Sequence, residues 1–308
     1  MPTKPLETVI YRDLQIARAK KFLASATPLF QELVNYGSNA LIRCVSSSSR
    51  GENEDLATMN LYRHILETTD AFEVLIAACC ANPTVPIVRS SYEALLALDY
   101  ILSDPDLYVQ RSLSWLAAYA RKRISMYEMM LVSSERGKEF QASIKKDKWL
   151  KAAPLPMPPQ DKVQSGIDRL KHLLARDQFA AIEAQFASTK GTVPWYALFG
   201  GPSNLQQLAY SLDRHVQYDF LYRQWSNVAH AQDFSHFLAV DSTGTSGIRG
   251  IRDASPLQEI SRFAATFMID ATRIMLAEFR PGEDYANYYK REVQPLFLEL
   301  INRNDFFE

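Results

Sequence analysis

The chain of 308 residues contains 47% hydrophobic and 22% charged residues, an ordinary composition for a globular protein that can form a large core. Its formal net charge is −1. This charge balance excludes a protein that is basic overall, so a polyanionic partner would have to bind a local basic patch.

The N-terminal half has apolar residues at helical spacing over most of its length. This spacing predicts helices over residues 8–43, 55–81, 86–102 and 105–132. The polar residues 46–55 lack any periodicity and predict an exposed loop. Asn82-Pro83 is predicted to end the second helix, and Pro86 to lie in the first turn of the third.

The C-terminal half has the same character and follows a proline-rich linker at residues 151–160. Helices are predicted over residues 161–176, 179–187, 204–213, 217–237, 256–279 and 284–302. Residues 241–255 are rich in Gly, Ser and Thr and predict a loop, and no strand pattern competes with the helices. The sequence therefore predicts an all-α multi-helix bundle, arranged as two packed halves at residues 1–150 and 161–308.

One predicted helical face carries polar residues where a helix ordinarily buries apolar ones. Alternate steps of four and three residues join Val216, Phe220, Arg223, Asn227, His230, Phe234 and Phe237. Burying the arginine, asparagine and histidine costs free energy unless each finds a partner. This seam is therefore predicted to be either a structural hydrogen-bond network or the floor of a site.

Arg223 and His230 project from the same side of this predicted helix because seven residues span two turns, and Ser226 lies on the same stripe. A histidine can transfer a proton near neutral pH, and a guanidinium can bind a phosphate. These are the minimum groups for metal-independent RNA cleavage, in which a base deprotonates a ribose 2′-hydroxyl. The alternative is that Arg223 pairs with a buried carboxylate and His230 donates to a backbone carbonyl.

Two other predicted helices carry an arginine followed four residues later by a glutamate, as Arg63–Glu67 and Arg89–Glu93. Their apolar flanks predict charges that are partly buried and paired between helices. Glu67 or Glu93 is then a candidate to hold Arg223 or to orient His230. The alternative is a structural ion network.

Residues 191–202 combine aromatic side chains with turn formers. Trp195 and Tyr196 are candidates to stack on a base or another flat ligand, and the alternative is a hydrophobic plug beneath helix ends. The basic residues 121–123 and 145–148, with Arg249 and Arg252, are candidate phosphate contacts or simply an exposed charged face.

The cysteines Cys44, Cys79 and Cys80 have neither disulfide-framework nor zinc-site spacing. The histidines also lack metal-ligand spacing, so no metal and no cofactor are predicted. No signal sequence is recognisable, and the most apolar window, Val74–Val88, is too short to span a bilayer. These features predict a cytoplasmic protein with no membrane contact.

Four short motifs together resemble a bacterial family catalogued as a domain of unknown function. The motifs are Arg89-Ser-x-x-Glu93, Trp195-Tyr196, Asn204-Leu-x-x-Leu-Ala and Tyr222-x-x-x-Ser226-x-x-x-His230. The resemblance covers roughly residues 55–240. It implies a helical protein and no established activity.

Arg223, six residues and His230 also resemble the Arg-x(4–6)-His signature of the HEPN superfamily of helical nucleotide-binding proteins and ribonucleases. Many members are toxins or phage-defence effectors, often with a site shared across a homodimer. This resemblance implies a HEPN-like helix pair in the C-terminal half, with His230 as the acid/base and Arg223 as the phosphate-binding cation. HEPN members often have Asn, Asp or His directly after the arginine, whereas this chain has Gln224.

The leading prediction is thus a HEPN-like protein, acting as a metal-independent endoribonuclease or nucleotide-binding protein and forming a homodimer. Supporting residues would be Ser226, Asn227, Arg89, Glu93, Arg63 and Glu67, with Trp195, Tyr196 and Tyr222 as stacking candidates. Two alternatives stay open. One is a non-catalytic interaction protein in which Arg89, Glu93, Arg223 and His230 form a buried network. The other is a small-molecule-binding regulator whose pocket is lined by the same groups and by Trp195 and Tyr196.

Overall fold

A computed structural model of the chain describes residues 12–51, 53–150, 156–189, 191–229, 238–240, 244, 246–248 and 251–307. Most of this part of the chain is helical. The helices are α1 (Arg12–Arg18), α2 (Lys20–Ser47), α3 (Leu56–Ala77), α4 (Ala81–Leu102), α5 (Tyr108–Met130), α6 (Glu135–Lys146), α7 (Gln160–Leu174), α8 (Ala180–Ser188), α9 (Leu205–Ser211), α10 (Arg223–Ala229), α11 (Leu257–Phe279), α12 (Tyr285–Tyr288) and α13 (Gln294–Asn302). The predicted all-α fold class is therefore confirmed.

Shorter elements complete the described structure. A 3-10 turn covers Asp177–Phe179, and a kinked 3-10 segment covers Trp195–Gly200. Wider π-helical turns cover Gln217–Tyr222 and Tyr289–Val293. Two strands, β1 (Leu238–Val240) and β2 (Ser246–Ile248), form an antiparallel ladder. The sequence did not indicate these strands, because segments of three residues are too short for a period-2 pattern to be recognised.

The junction between α3 and α4 differs from the sequence prediction. The α3 helix ends at Ala77, before Asn82-Pro83, because Cys79 adopts a left-handed backbone with φ of 54°. The Cys80 N–H then donates to the Leu75 carbonyl at 3.0 Å, which satisfies a terminal carbonyl of the helix. The α4 helix starts directly afterwards and continues through Pro86.

The first compact unit comprises residues 1–50, 58–104 and 209–308. In this unit α11 packs against α2 and α4, α10 packs against α4, and α13 packs against α2. Its core contains fully buried aromatic rings at Phe22, Phe30, Tyr62, Tyr92 and Phe267. The α4 and α11 helices thus form the apolar base on which the π-helical turn and α10 are held.

The second compact unit comprises residues 51–57 and 105–208. The α5 helix packs against α6, α7, α8 and the 3-10 turn Trp195–Gly200. The buried cluster of this unit consists of Leu113, Leu116, Ala117, Phe179, Ile182 and Leu198. The two units alternate along the chain, and the described linker residues 156–160 fall inside the second unit.

Candidate functional site

The helix predicted over residues 217–237 is described as far as Ala229 and begins as the π-helical turn Gln217–Tyr222. Its buried side chains are Leu221 and Trp225. The Trp225 ring packs edge-on against Phe263 and Phe267 of α11, with centroid distances of 5.7 and 6.3 Å. Burying these apolar groups is more favourable than burying charged and amide groups, which sets the rotation of the helix.

The described part of the predicted seam therefore faces solvent. Val216 is 77% exposed and Phe220 is 57% exposed, and Arg223 and Asn227 are also exposed. The prediction of a buried polar seam was wrong for these four residues. His230, Phe234 and Phe237 lie outside the described residues.

A polar cluster joins α4 to the start of α10 and consists of Arg89, Glu93, Tyr222 and Ser226. The Arg89 guanidinium donates to Glu93 Oε1 at 3.1 Å, to the Tyr222 hydroxyl at 2.7 Å and to Ser226 Oγ at 3.4 Å. The Tyr222 hydroxyl donates in turn to Glu93 Oε1 at 2.9 Å. We call this set the motif clamp because it links the Arg-Ser-x-x-Glu motif to the Tyr-x-x-x-Ser motif.

Tyr222 is the centre of the motif clamp. The Arg89 Cζ atom lies 4.6 Å from the centroid of its ring, which adds a cation–π contact to the hydrogen bond. The ring also stacks on Tyr218, with a centroid distance of 5.1 Å. Burial, followed by the negative charge of Glu93, raises the pKa of Tyr222 to about 12, so the hydroxyl stays protonated at neutral pH.

We expect Tyr222→Phe to lower the free energy of unfolding by about 1 kcal/mol at neutral pH, because a hydrogen bond to a charged group is lost. The folded-state pKa of Tyr222, about 12, lies above its ordinary value of 10.0. This contribution to stability is therefore fully present below about pH 10 and is lost as the pH rises toward about 12. Urea unfolding of both proteins from pH 7 to pH 11 measures it. A stability difference that grows with pH would contradict the assignment.

Ser90 and Ser91 extend the polar contacts of α4 toward α3. Ser90 Oγ lies 2.8 Å from His64 Nε2, and Ser91 Oγ lies 2.5 Å from Thr68 Oγ1. The motif serine Ser90 therefore has a histidine partner that sequence spacing did not identify. The sequence shows only that α3 and α4 each carry polar side chains on a largely apolar helix. That pattern does not indicate which side chains pair with each other.

Arg63 and Glu67 do not belong to the motif clamp. They form an ion pair along α3, and their side chains are 62% and 56% exposed. The prediction that these charges are partly buried and paired between helices was wrong for this pair. An arginine and a glutamate one helical turn apart can bond each other in water without a second helix.

Arg223 and Asn227 occupy the solvent-facing side of α10. The Arg223 side chain is 66% exposed, and its Nη1 atom lies 3.6 Å from Asp219 Oδ1, one turn earlier. The predicted contact between Arg223 and Glu67 or Glu93 is absent from the described residues, where Glu93 binds Arg89 and Tyr222 instead. Of the predicted supporting residues, the structure brings together Arg89, Glu93 and Ser226. Tyr222, which was predicted as a stacking candidate, bonds Arg89 and Glu93.

Trp195 and Tyr196 belong to the second compact unit. Their rings are in edge-to-face contact, with a centroid distance of 5.5 Å, and both are half-buried. Leu198 in the same 3-10 turn is buried in the core of the unit, and Phe199 has a left-handed backbone with φ of 57°. This packing matches the plug-like alternative, and ligand stacking by the two rings stays a prediction.

Arg214 is a central residue that sequence reasoning missed. Its side chain is 10% exposed, and it bonds Asp99 of α4 at 2.8 Å and Asp270 of α11 at 3.0 Å. It also donates to Gln217 Oε1 at 3.1 Å. Burial alone would lower the pKa of Arg214, but Asp99 and Asp270 raise it above the ordinary arginine value. These bonds fasten the π-helical turn to the helices beneath it.

Neither a metal cluster nor a membrane-spanning helix is found in the described part of the chain. No three His, Cys, Asp or Glu side chains among those residues are close enough to hold a metal ion. None of the described helices is long and apolar enough to cross a membrane.

The fold and the motif clamp together define an all-α protein in which paired motifs on two helices bond each other. The chain belongs to a family of unknown function (DUF5677), whose model matches residues 55–245. This match confirms the predicted family resemblance and contains every residue of the motif clamp. No curated protein and no solved structure is significantly similar to the chain. The HEPN resemblance therefore stays a prediction.

Proposed function

We propose that the protein is a HEPN-like, metal-independent endoribonuclease that acts as a homodimer in the cytoplasm. His230 is the general acid/base, and Arg223 is the phosphate-binding cation. The observation that carries this proposal is the position of Arg223, whose side chain is 66% exposed on a helix that the motif clamp fastens to α4.

The ion pair of Arg223 suits a phosphate-binding role. Its contact with Asp219 is 3.6 Å long, and both side chains are largely exposed. Exposed pairs of this kind contribute roughly 0–1 kcal/mol. An RNA phosphate can therefore replace the carboxylate at little cost, and the planar guanidinium can bind two phosphate oxygens at once.

The motif clamp supplies rigidity next to Arg223. Tyr222 lies one residue before Arg223, and Ser226 lies three residues after it. Arg89 bonds both of them. A catalytic group must be held within about 0.5 Å of its productive position by its supporting contacts. Arg89, Glu93, Tyr222 and Ser226 are thus positioning residues for the helix that carries Arg223.

The proposed reaction is an internal transesterification. His230 removes the proton from a ribose 2′-hydroxyl, and the 2′-oxygen attacks the adjacent phosphorus. The bond from phosphorus to the 5′-oxygen of the next nucleotide breaks, and that oxygen receives, through water, the proton that His230 removed. Arg223 stabilises the negative charge that develops on the phosphate oxygens.

Incubation with total RNA in the presence of EDTA tests this proposal. The wild type is expected to cleave RNA, and His230→Ala is expected to lose at least about 100-fold in rate. His215→Ala is the control, because His215 is an exposed histidine outside the motif. Circular dichroism must show that both variants are folded. Absence of cleavage by the wild type, or equal cleavage by wild type and His230→Ala, would contradict the proposal.

A pocket in the first unit favours the small-molecule alternative. It has a volume of about 520 Å³, within the usual range for ligand sites. Tyr285, Tyr289, Arg273 and Lys290 contribute to its walls, so its lining differs from the Trp195 and Tyr196 pocket predicted from sequence. If this alternative holds, variants of the pocket should change ligand binding while RNA stays intact.

A further inference from the structure

A groove between α5 and α7 in the second unit combines cations with aromatic rings. Its volume is about 720 Å³. One wall carries Tyr119, Arg123 and Tyr127, which are spaced four residues apart and therefore share one face of α5. The other wall carries Arg169 on α7 and Arg176 just after the helix ends.

The rings of this groove are held in place by packing. Tyr127 lies close against Gly166, where an added Cβ would come within 2.9 Å of the Tyr127 ring. The Arg123 Cζ atom lies 4.8 Å from the Tyr127 ring centroid. Tyr119 is 51% exposed. Its ring stacks on Trp115, with an interplanar angle of 5° and a centroid distance of 6.0 Å. A partly exposed, supported ring is a suitable surface for stacking a flat ligand.

The cations of the groove are not paired with carboxylates in the part of the chain that the structure describes. Within the described residues, Arg123, Arg169 and Arg176 make no ion pair, whereas the neighbouring Arg121 bonds Glu183 at 2.7 Å. The groove carboxylate, Asp168, accepts a hydrogen bond from Gln164 at 2.8 Å. The groove is therefore a locally positive surface on a chain with a formal net charge of −1.

We propose that this groove binds single-stranded RNA. Arg169 and Arg176 contact successive phosphates, and a base stacks on Tyr119. Arg169 lies in the last two turns of α7 and Arg176 lies two residues beyond its end, so both cations are on one wall of the groove, where a flexible single strand can bring its phosphates to them. Exposed rings beside cations are typical of single-strand binding, since bases in a duplex cannot reach such rings.

The choice of RNA as the occupant rests on the proposed function, but the residues differ from Arg223 and His230. The test uses the full chain carrying His230→Ala, which removes cleavage, and a fluorescent oligouridylate whose binding is followed by anisotropy. In this background, Arg169→Gln with Arg176→Gln is expected to weaken binding about 10-fold or more. The slope of log Kd against log salt concentration should fall by roughly 1.4, because two phosphate contacts are lost and each contributes about 0.7.

The matched control is Arg136→Gln with Lys138→Gln on α6, which removes the same charge from an exposed helix outside the groove. This control is expected to change the Kd less than about 2-fold, since no phosphate contact is lost. Tyr119→Ala should weaken oligouridylate binding roughly 5-fold or more and leave the salt slope unchanged. Thermal unfolding of each variant confirms that it is folded.

Several results would overturn this inference. Absence of oligouridylate binding, or equal loss of affinity in the groove and α6 variants, would exclude the groove as the binding surface. Equal affinity for polyglutamate or for duplex RNA would show a non-selective polyanion site or a different partner. Localised binding without any cleavage by the His230-containing chain would overturn the proposed function and leave the groove standing.

Discussion

Arg214→Met is expected to lower the free energy of unfolding by about 3 kcal/mol. The Arg214 side chain is 10% exposed and bonds two carboxylates, at Asp99 and Asp270. Removing the guanidinium leaves both carboxylates, which are 21% and 24% exposed, facing each other without a counter-charge. Methionine replaces the aliphatic part of the arginine side chain, so the lost stability comes mainly from the charges.

Urea unfolding at neutral pH measures this loss, with Arg63→Met as the matched control. Arg63 pairs with Glu67 on the surface of α3, with both side chains more than half exposed. Its replacement is expected to cost less than about 0.5 kcal/mol. Adding Asp99→Asn and Asp270→Asn to Arg214→Met should recover part of the lost stability, because no carboxylate is then left unpaired. Equal stability of Arg214→Met and wild type would contradict the role given to Arg214.

Arg223→Ala is expected to have the opposite profile, with little effect on stability and a large effect on activity. Its exposed contact with Asp219 predicts a change of less than about 0.5 kcal/mol in the free energy of unfolding. Loss of a cation that stabilises the transition state predicts a rate of RNA cleavage about 100-fold lower. The helix would stay in place because the motif clamp does not involve Arg223.

Initial rates on one RNA, together with urea unfolding, separate the two effects. Arg63→Ala is again the control, because it removes an exposed arginine that also pairs with a carboxylate one turn away. It should keep the wild-type rate. A rate for Arg223→Ala equal to that of Arg63→Ala would remove Arg223 from the proposed mechanism.

Much of the fold could be predicted from the apolar spacing of the sequence. Long helices such as α5 and α11 bury one face each, so their periodicity is clear. The end of α3 and the start of α4 were predicted less accurately because the left-handed turn at Cys79 has no glycine to mark it. The two compact units could not be derived from composition, since residues distant in the chain meet in each of them.

Part of the candidate site could also be predicted. The motifs containing Arg89, Glu93, Tyr222 and Ser226 were named from the sequence, and the structure brings their side chains together. The orientation of α10 was wrong because two helical faces were possible, and the face with Leu221 and Trp225 gains more by burial.

The Arg214 contacts were missed for a different reason. Asp99 and Asp270 are not the only acidic residues on α4 and α11, which also carry Glu93, Glu259 and Glu278. Their shared partner lies far from both in sequence, and spacing within one helix cannot reveal such a contact. The π-helical turn that follows Arg214 also lacks a recognisable sequence signal, although such turns often occur at functional sites.

The chemistry of the RNA ends tests the proposed mechanism most directly. A defined RNA should be incubated with the wild type in EDTA, and the new termini should be analysed by mass spectrometry. Attack by the 2′-oxygen predicts 2′,3′-cyclic phosphate and 5′-hydroxyl ends that are absent with His230→Ala. New 5′-phosphate ends, or intact RNA at high protein concentration, would contradict cleavage by Arg223 and His230.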